Sequence, residues 1–339
     1  MDTDSILLLN GEEILDLSSG SEIEIIEIIK NAYKTHSLGY SSLPHSSFLR
    51  FPMNEQDRII ALPAYLGGDF SIAGLKWIAS FPNNISSDLE RASAILILNS
   101  TLTGRPKAVM ESSIISSKRT AASAAIAADL LLKNRELKKI GIIGCGLINF
   151  ETIRFILAVR PKIETLYLYD LDVNRSEIFR NMCCKLSNNF EITIDNIESV
   201  TKNSDVICFA TTASKPYLFD IEMFSNDSII IHTSLRDLSK EIILASDNIV
   251  DDIDHCCRAN TSVHLAEQYL SKRDFIRCTI GDILNGKSEP RQSEKITVYS
   301  PFGLGILDIA LGNFLYSLAV DKKRGYIIND FFPPNWMKR

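Results

Sequence analysis

The chain has 339 residues, 45% hydrophobic and 23% charged, which is ordinary for folded domains and long enough for two of them. Its formal net charge of −6 argues against nucleic acid and anionic membrane surfaces as partners. The most apolar run, 121–132, is too short to span a bilayer and is broken by Asp129.

Ile6–Asn10 opens as a short apolar strand, and Ser21–His36 follows with a helical stripe of Ile25, Ile26, Ile28, Ile29, Ala32 and Tyr33 that Gly39 stops. Residues 46–110 read mainly as strands and turns, with β-like runs at Arg58–Pro63, Ile72–Ala79 and Ala94–Leu98. Ser113–Leu132 predicts a long, small-residue helix. From Leu137 onward strand and helix alternate: strands at Lys139–Ile143, Thr165–Tyr169, Phe190–Ile194, Val206–Ala210, Ser228–His232 and Asn248–Val250, with helices at Leu147–Val159 and Val173–Leu186. This pattern predicts an α/β protein with a Rossmann-type, doubly wound parallel sheet. Gly305–Ala319 is a further helix that cannot extend the sheet, and the simplest topology returns it to the N-terminal part.

The acidic opening Met1-Asp2-Thr3-Asp4 lacks the basic region of a secretory signal. The seven cysteines, Cys145, Cys183, Cys184, Cys208, Cys256, Cys257 and Cys278, form no Cys-x-x-Cys pair. Both features fit a cytoplasmic protein with reduced, mostly buried thiols, and neither suggests a metal site.

Gly144-Cys145-Gly146-Leu147-Ile148-Asn149 joins a strand to a helix. Gly144 permits a tight turn, Gly146 leaves room for a pyrophosphate, and the amides opening the helix at Leu147 and Ile148 would face the phosphates. Asp170 ends the next strand, 26 residues after Gly144, where a carboxylate accepts hydrogen bonds from a ribose diol and repels a 2′-phosphate. NAD is therefore the expected cofactor, with Arg175 keeping NADP in view. Asn149 stands where the motif has Gly or Ala, and is expected to loosen helix–sheet packing or shift the phosphates. A glycine turn in another nucleotide binder, with Asp170 as a helix cap, is the plainer alternative.

Arg50, Lys76, Arg91 and Arg119 lie in apolar or small-residue sequence, where a cation is costly unless a carboxylate or a ligand compensates it. Singly, each reads first as a structural ion pair or a solvated end; together they make a carboxylate-rich small substrate plausible. Asp237 follows the strand Ser228–His232, in a loop expected at the carboxyl edge of the sheet and open to a cleft, where it would move protons or position water. A cap for the helix starting near Ser239 is the competing role. His232, His255 and His264 show no metal-ligand spacing and read as structural or surface residues.

Four segments, Gly74-Leu75-Lys76-Trp77, Ser117-Lys118-Arg119-Thr120-Ala121-Ala122, Gly144-Cys145-Gly146-Leu147 and Ser300-Pro301-Phe302-Gly303-Leu304-Gly305-Ile306-Leu307-Asp308, make the chain resemble the ornithine cyclodeaminase/mu-crystallin superfamily over nearly its whole length. Within it, Glu90-Arg91-Ala92-Ser93, Ile143–Ile148 and Asp237-Leu238-Ser239-Lys240-Glu241 are most similar to the branch that oxidises N-(2-amino-2-carboxyethyl)-L-glutamate in 2,3-diaminopropionate synthesis for siderophore-type products. The Pro-Gly element that usually follows the equivalent aspartate in true cyclodeaminases is missing.

The resemblance implies a homodimer. Its substrate-binding and dimerisation domain would comprise 1–118 and 307–339, with an NAD-binding domain over 119–306. It further implies that Arg50, Lys76 and Arg119, with Arg91 through the branch alone, hold substrate carboxylates, and that Asp237 is the catalytic acid/base aided by Lys76. Thr120, Thr211, Thr212 and Asp308 would lie near the cofactor. The implied reaction is NAD-dependent oxidation of a secondary amine at the glutamate Cα, followed by imine hydrolysis. A cyclodeaminase or a ketimine/imino-acid reductase is the alternative within the superfamily. A non-catalytic, crystallin-like NAD binder is the alternative of another class, against which the retained Lys76, Arg119 and Asp237 argue.

Overall fold

A computed structural model describes the chain except for residues 1–3, 187–188, 293–294, 335–336 and 338–339. It divides into two compact units, one of Met1–Ser21, Leu38–Arg119 and Leu304–Arg339, the other of Glu22–Ser37 and Thr120–Gly303.

The first unit is built on a sheet of β1 (Ile6–Leu9), β2 (Ser41–Ser42), β3 (Ser47–Phe51), β4 (Asn54–Leu66), β5 (Ile72–Ser80), β6 (Ala92–Ser100), β7 (Pro106–Glu111) and a terminal strand, Tyr326–Ile328. Its order is terminal strand–β1–β7–β6–β5–β4–β2, with β3 also on β4. Strands β4 to β7 form an antiparallel meander, and β1 lies parallel to β7. Residues of β6 alternate as a half-buried strand must, with Ala94, Leu96 and Leu98 buried and Ser93 and Ile95 exposed. Helix Gly305–Asp321 packs on the buried face and is itself apolar on most sides. It fits because Gly312 has no side chain: a Cβ there would sit 2.2 Å from Leu96 Cδ2.

The second unit contains a sheet of eight strands among the described residues, all parallel. The strands are β8 (Lys139–Ile143), β9 (Thr165–Tyr169), β10 (Glu191–Ile194), β11 (Val206–Phe209), β12 (Ile229–His232), β13 (Asp247–Val250), β14 (Ile276–Thr279) and β15 (Thr297–Ser300), in the order β10-β9-β8-β11-β12-β15-β13-β14. The order reverses between β8 and β11, the switch point at which doubly wound sheets take their ligands. The sequence pattern did not include β14 and β15, which are only four residues each.

Helix Glu22–Ser37 groups with this second unit, whereas the sequence reading put it in the first. Its packing explains why. Tyr33 is buried with its hydroxyl 2.8 Å from Ser123 Oγ and 3.2 Å from Tyr299 Oη. The helix also passes so close to Gly281 that a Cβ there would meet Tyr33 O at 2.6 Å. Among the described residues no helix is long and apolar enough to cross a membrane. The seven cysteines are unpaired, and all but Cys184 are buried.

Candidate active site

At the end of β8 the chain turns through Gly144, whose φ of +93° favours glycine; a Cβ there would stand 2.5 Å from Ala210 O. Gly146 precedes helix Leu147–Val159 and supplies no side-chain cap, so the first-turn amides of Leu147 and Ile148 keep their donors for a ligand. Space in front of Gly146 is open, the nearest atom to a Cβ being Arg175 Nη2 at 3.9 Å. Arg175 is exposed and has no ion-pair partner among the described residues.

Asp170 sits half-buried at the end of β9 and braces the same turn, accepting the Cys145 N–H at 2.8 Å and the Asp172 N–H at 3.0 Å. Each carboxylate oxygen retains a lone pair, so ribose hydroxyls can still be accepted. The helix-cap alternative for Asp170 does not hold, because Asp172 is the residue that caps helix Val173–Cys183.

Asn149 does the opposite of loosening the packing. It is fully buried, and its side-chain amide donates to Gly144 O at 2.8 Å, Ile143 O at 3.1 Å and Cys208 O at 3.2 Å, lacing the helix to β8 and β11. The Cys145 thiol within the turn is buried, and burial pushes it up to about 11, so it is unreactive at neutral pH.

Asp237 departs from the open loop expected of it: it is 0% exposed. Tyr217 Oη donates to one carboxylate oxygen at 3.1 Å, joined there by a short hydrogen bond from Thr211 Oγ1. His232 Nε2 lies 3.1 Å from the other oxygen, which also accepts a short hydrogen bond from Ser234 Oγ. The carboxylate is closed in because the loops after β11 and β12 fold over the same strand ends; Tyr217 N and Leu218 N both donate to Asp237 O at 3.1 Å.

Burial alone would raise this carboxyl, but the His232 hydrogen bond and charge, followed by the Ser234 and Thr211 hydroxyls, hold it below the usual range. The capping role belongs to Ser239, which accepts from Ile242 N. His232 is correspondingly not a surface residue: it is fully buried, with Nδ1 3.4 Å from Ser300 Oγ. A histidine closing a strand, followed by hydroxyl residues and an aspartate, was the available signal. Thr212, next in sequence to Thr211, is exposed.

In the first unit Lys76, on β5, is 2% exposed and pairs with Asp308 Oδ2 at 2.8 Å. Arg119 Nε reaches the other oxygen of Asp308 at 3.2 Å, and Ser116 Oγ accepts from Lys76 at 3.1 Å and from Arg119 at 3.4 Å. Asp308 is thus the shared counter-ion of two buried cations, and the group keeps one positive charge in excess. Burial, opposed by the charge of Asp308 and helped by that of Arg119, lowers Lys76 to about 8.

Arg91 is half-buried, donates to Ser80 Oγ at 3.3 Å and has no ion-pair partner among the described residues; burial lowers its value. Ser80 and Lys76 share one face of β5, four residues apart. Arg50 does not join this group. It is exposed on β3, its guanidinium 5.6 Å from the Phe48 ring centre. Thr120 lies half-buried where the chain passes from the first unit into the second.

Since three hydroxyls donate to the Asp237 carboxylate, Asp237→Asn turns an amide N–H toward one of them. The expected loss is about 1–3 kcal/mol of stability at pH 7. The folded carboxyl titrates below its unfolded value, so its stabilising contribution is full at neutral pH and is lost as the pH falls through the folded value. Thermal denaturation should therefore show the gap between wild type and variant shrinking in acid; equal melting temperatures at pH 7 would refute this picture of the network.

The Ornithine cyclodeaminase/mu-crystallin family model matches residues 12–323. N-((2S)-2-amino-2-carboxyethyl)-L-glutamate dehydrogenase of Staphylococcus aureus (strain NCTC 8325 / PS 47) is 30% identical, over 96% of this chain and 98% of that protein. Among solved structures, an archaeal alanine dehydrogenase dimer with bound NAD is 27% identical with a TM-score of 0.85, covering 97% of this chain and 100% of that one. Delta(1)-pyrroline-2-carboxylate reductase of Thermococcus litoralis, in complex with NADH and L-proline, shares the fold at a TM-score of 0.87 and 24% identity, covering 95% and 99%. With a family model matched across most of its length, the chain belongs to the ornithine cyclodeaminase/mu-crystallin family.

Proposed function

We propose that the protein is an NAD-dependent oxidoreductase that cleaves N-(2-amino-2-carboxyethyl)-L-glutamate to 2-oxoglutarate and L-2,3-diaminopropionate. The observation that carries the substrate class is the buried group in which Lys76 and Arg119 share the single carboxylate of Asp308. A buried excess of positive charge is costly unless an anion completes it. The half-buried Arg91 adds a third desolvated cation. A substrate with three carboxylates suits such a set, and the Staphylococcus aureus relative, 30% identical, is named for this amine.

NAD fits the second unit through the open approach at Gly146, the uncapped helix, the remaining lone pairs of Asp170 and the exposed Arg175. When bound, it supplies the two-electron acceptor for hydride leaving the glutamate Cα. In this reading Leu147 and Ile148 offer their amides, and Arg175 its charge, to the pyrophosphate. Asp170 selects the ribose diol, while Thr120, Thr211 and Thr212 border the nucleotide. Lys76, Arg119 and Arg91 orient the substrate carboxylates, with Arg50 a more distant anchor. Asp237, held ionised, takes up a proton as water adds to the imine carbon. Being buried, it exchanges protons through the hydroxyls of Thr211 and Tyr217. General acid–base help of this kind is worth about 10²–10⁴-fold in rate.

One observation favours a smaller substrate. Arg50 stands apart from the buried cations, and an amino acid with a single carboxylate would be satisfied by Lys76 and Arg119 alone. Incubation with NAD, water and each candidate amine, with products read by mass spectrometry, separates the two. Release of 2-oxoglutarate and 2,3-diaminopropionate supports the proposal; turnover of L-alanine or L-proline without it overturns the substrate. On the true substrate, kcat/KM should fall about tenfold per pH unit above a limb near pH 8, where Lys76 loses its proton. A flat profile between pH 7 and 9 would remove Lys76 from carboxylate binding.

Asp170→Ala should weaken NAD roughly ten- to hundredfold through lost ribose hydrogen bonds. Slackening of the turn alone would weaken NADP equally, so the decisive reading is a narrowed NAD/NADP ratio. An unchanged ratio would free Asp170 of that role.

The protein is also proposed to be a homodimer. Trp77 and Ile95 face each other across β5 and β6, 38% and 43% exposed, with Tyr65 on β4 at 40%. A second copy covering this apolar sheet face would bury them. Light scattering at micromolar concentration is expected to give twice the chain mass, and a stable monomer would end the claim.

A further inference from the structure

Nothing in the proposed reaction uses the opposite, amino-terminal edge of the parallel sheet, yet a cavity of about 800 Å³ opens there. Its wall carries Lys133, Arg135, Arg291 and Lys295 against one carboxylate, Asp227, with Ile221 and Ile296 as apolar floor. These residues precede the strands. Arg135 lies before β8, Asp227 before β12 and Lys295 before β15, whereas Gly144, Asp170 and Asp237 follow theirs. A four-residue strand is about 13 Å long, so the cavity and the nucleotide turn are separated by the depth of the sheet.

The charges in the cavity do not balance. Asp227 is divided between two guanidiniums: Arg291 Nη2 reaches Oδ1 at 3.1 Å and Arg135 Nη1 reaches Oδ2 at 3.5 Å. Lys133 is held at the rim by Glu289 at 3.0 Å, and Lys295 has no ion-pair partner among the described residues. Even with Glu289 counted, cations outnumber carboxylates in a protein whose net charge is −6.

Arg291 is the residue that marks the cavity as built. Its side chain is only 9% exposed, and its Nε–H is buried with no hydrogen-bond partner among the described residues. A buried unsatisfied donor on a cation is costly, of the order of 1–3 kcal/mol or more, unless a ligand acceptor completes it. Burial lowers the Arg291 value against the opposing charge of Asp227, and the repulsion of Arg135 adds to the lowering, which an anion would relieve.

We propose that this cavity is a second ligand site, for a small oxyanion carrying two or more negative charges, bound by the Arg135–Arg291 pair and the ammonium groups of Lys133 and Lys295. Phosphorylated metabolites and polycarboxylates share this chemistry, because a guanidinium edge accepts either in bidentate fashion.

The test is calorimetric titration of the whole protein with inorganic pyrophosphate and, separately, with citrate, in excess NADH so that the glycine turn is not the site read. Saturable binding of either is expected, weakening as potassium chloride is raised. The tighter of the two identifies the source, phosphate or polycarboxylate. Lys133 and Lys295 are exposed, so the double variant Lys133→Gln/Lys295→Gln should fold and should lose about tenfold in affinity, near 0.7 kcal/mol for each lost charge. Turnover with NAD should be unaltered in that variant when neither anion is added. Absence of binding by both anions, or equal affinity in wild type and double variant, overturns the proposal.

Discussion

In a sheet whose strands all run one way, every strand delivers its following loop to the same edge, and that constraint organises the second unit. Gly144 follows β8, Asp170 follows β9, Thr211 follows β11, and the Ser234–Asp237 loop follows β12. None of these loops is near the others in sequence. They meet because β8 and β11 are neighbours across the point where the strand order reverses, with β9 and β12 on either side. The ladder hydrogen bonds that fix the register also fix which side chains can touch. Phe209 pairs with His232 in register, and the two residues that follow Phe209 bring Thr211 against the carboxylate that follows His232.

Asp237 in one unit and Asp308 in the other are both fully buried carboxylates, and the two are satisfied in different ways. Asp237 is surrounded by three hydroxyls and an imidazole, which hold its carboxyl below the usual range. Asp308 is surrounded by full cations, two against one, which leaves a positive field where it lies. The first arrangement suits a group that gives and takes a proton. The second suits a group that attracts an anion. Replacing either by a hydrophobic residue of similar size would remove a different thing: a proton acceptor in one case, a charge balance in the other.

Much of the nucleotide turn was legible in the sequence because its grammar is local. A strand, two glycines and a helix lie within one stretch, and Asp170 sits at the end of the next apolar run. The role of Asn149 was not legible, since its three carbonyl partners come from β8, the turn and β11 and only the fold assembles them. The burial of Asp237 escaped for the same reason: Tyr217 and Thr211 belong to another loop. Lys76 and Arg119 were picked out as cations in apolar sequence, but the carboxylate they share arrives with the last long helix, and no spacing rule links it to β5. Single four-residue strands such as β14 and β15 carry too few residues to show a period.

The discontinuity of the first unit also has a consequence for synthesis on the ribosome. Strands β4 to β7 are complete once residue 111 has emerged, but the helix that covers their buried face begins at Gly305. At about 5–20 residues per second, the apolar face of Leu62, Leu96 and Leu98 waits roughly 10–40 s for that cover, and Lys76 waits as long for Asp308. The nascent chain therefore presents an unfinished sheet with an uncompensated ammonium for most of its elongation.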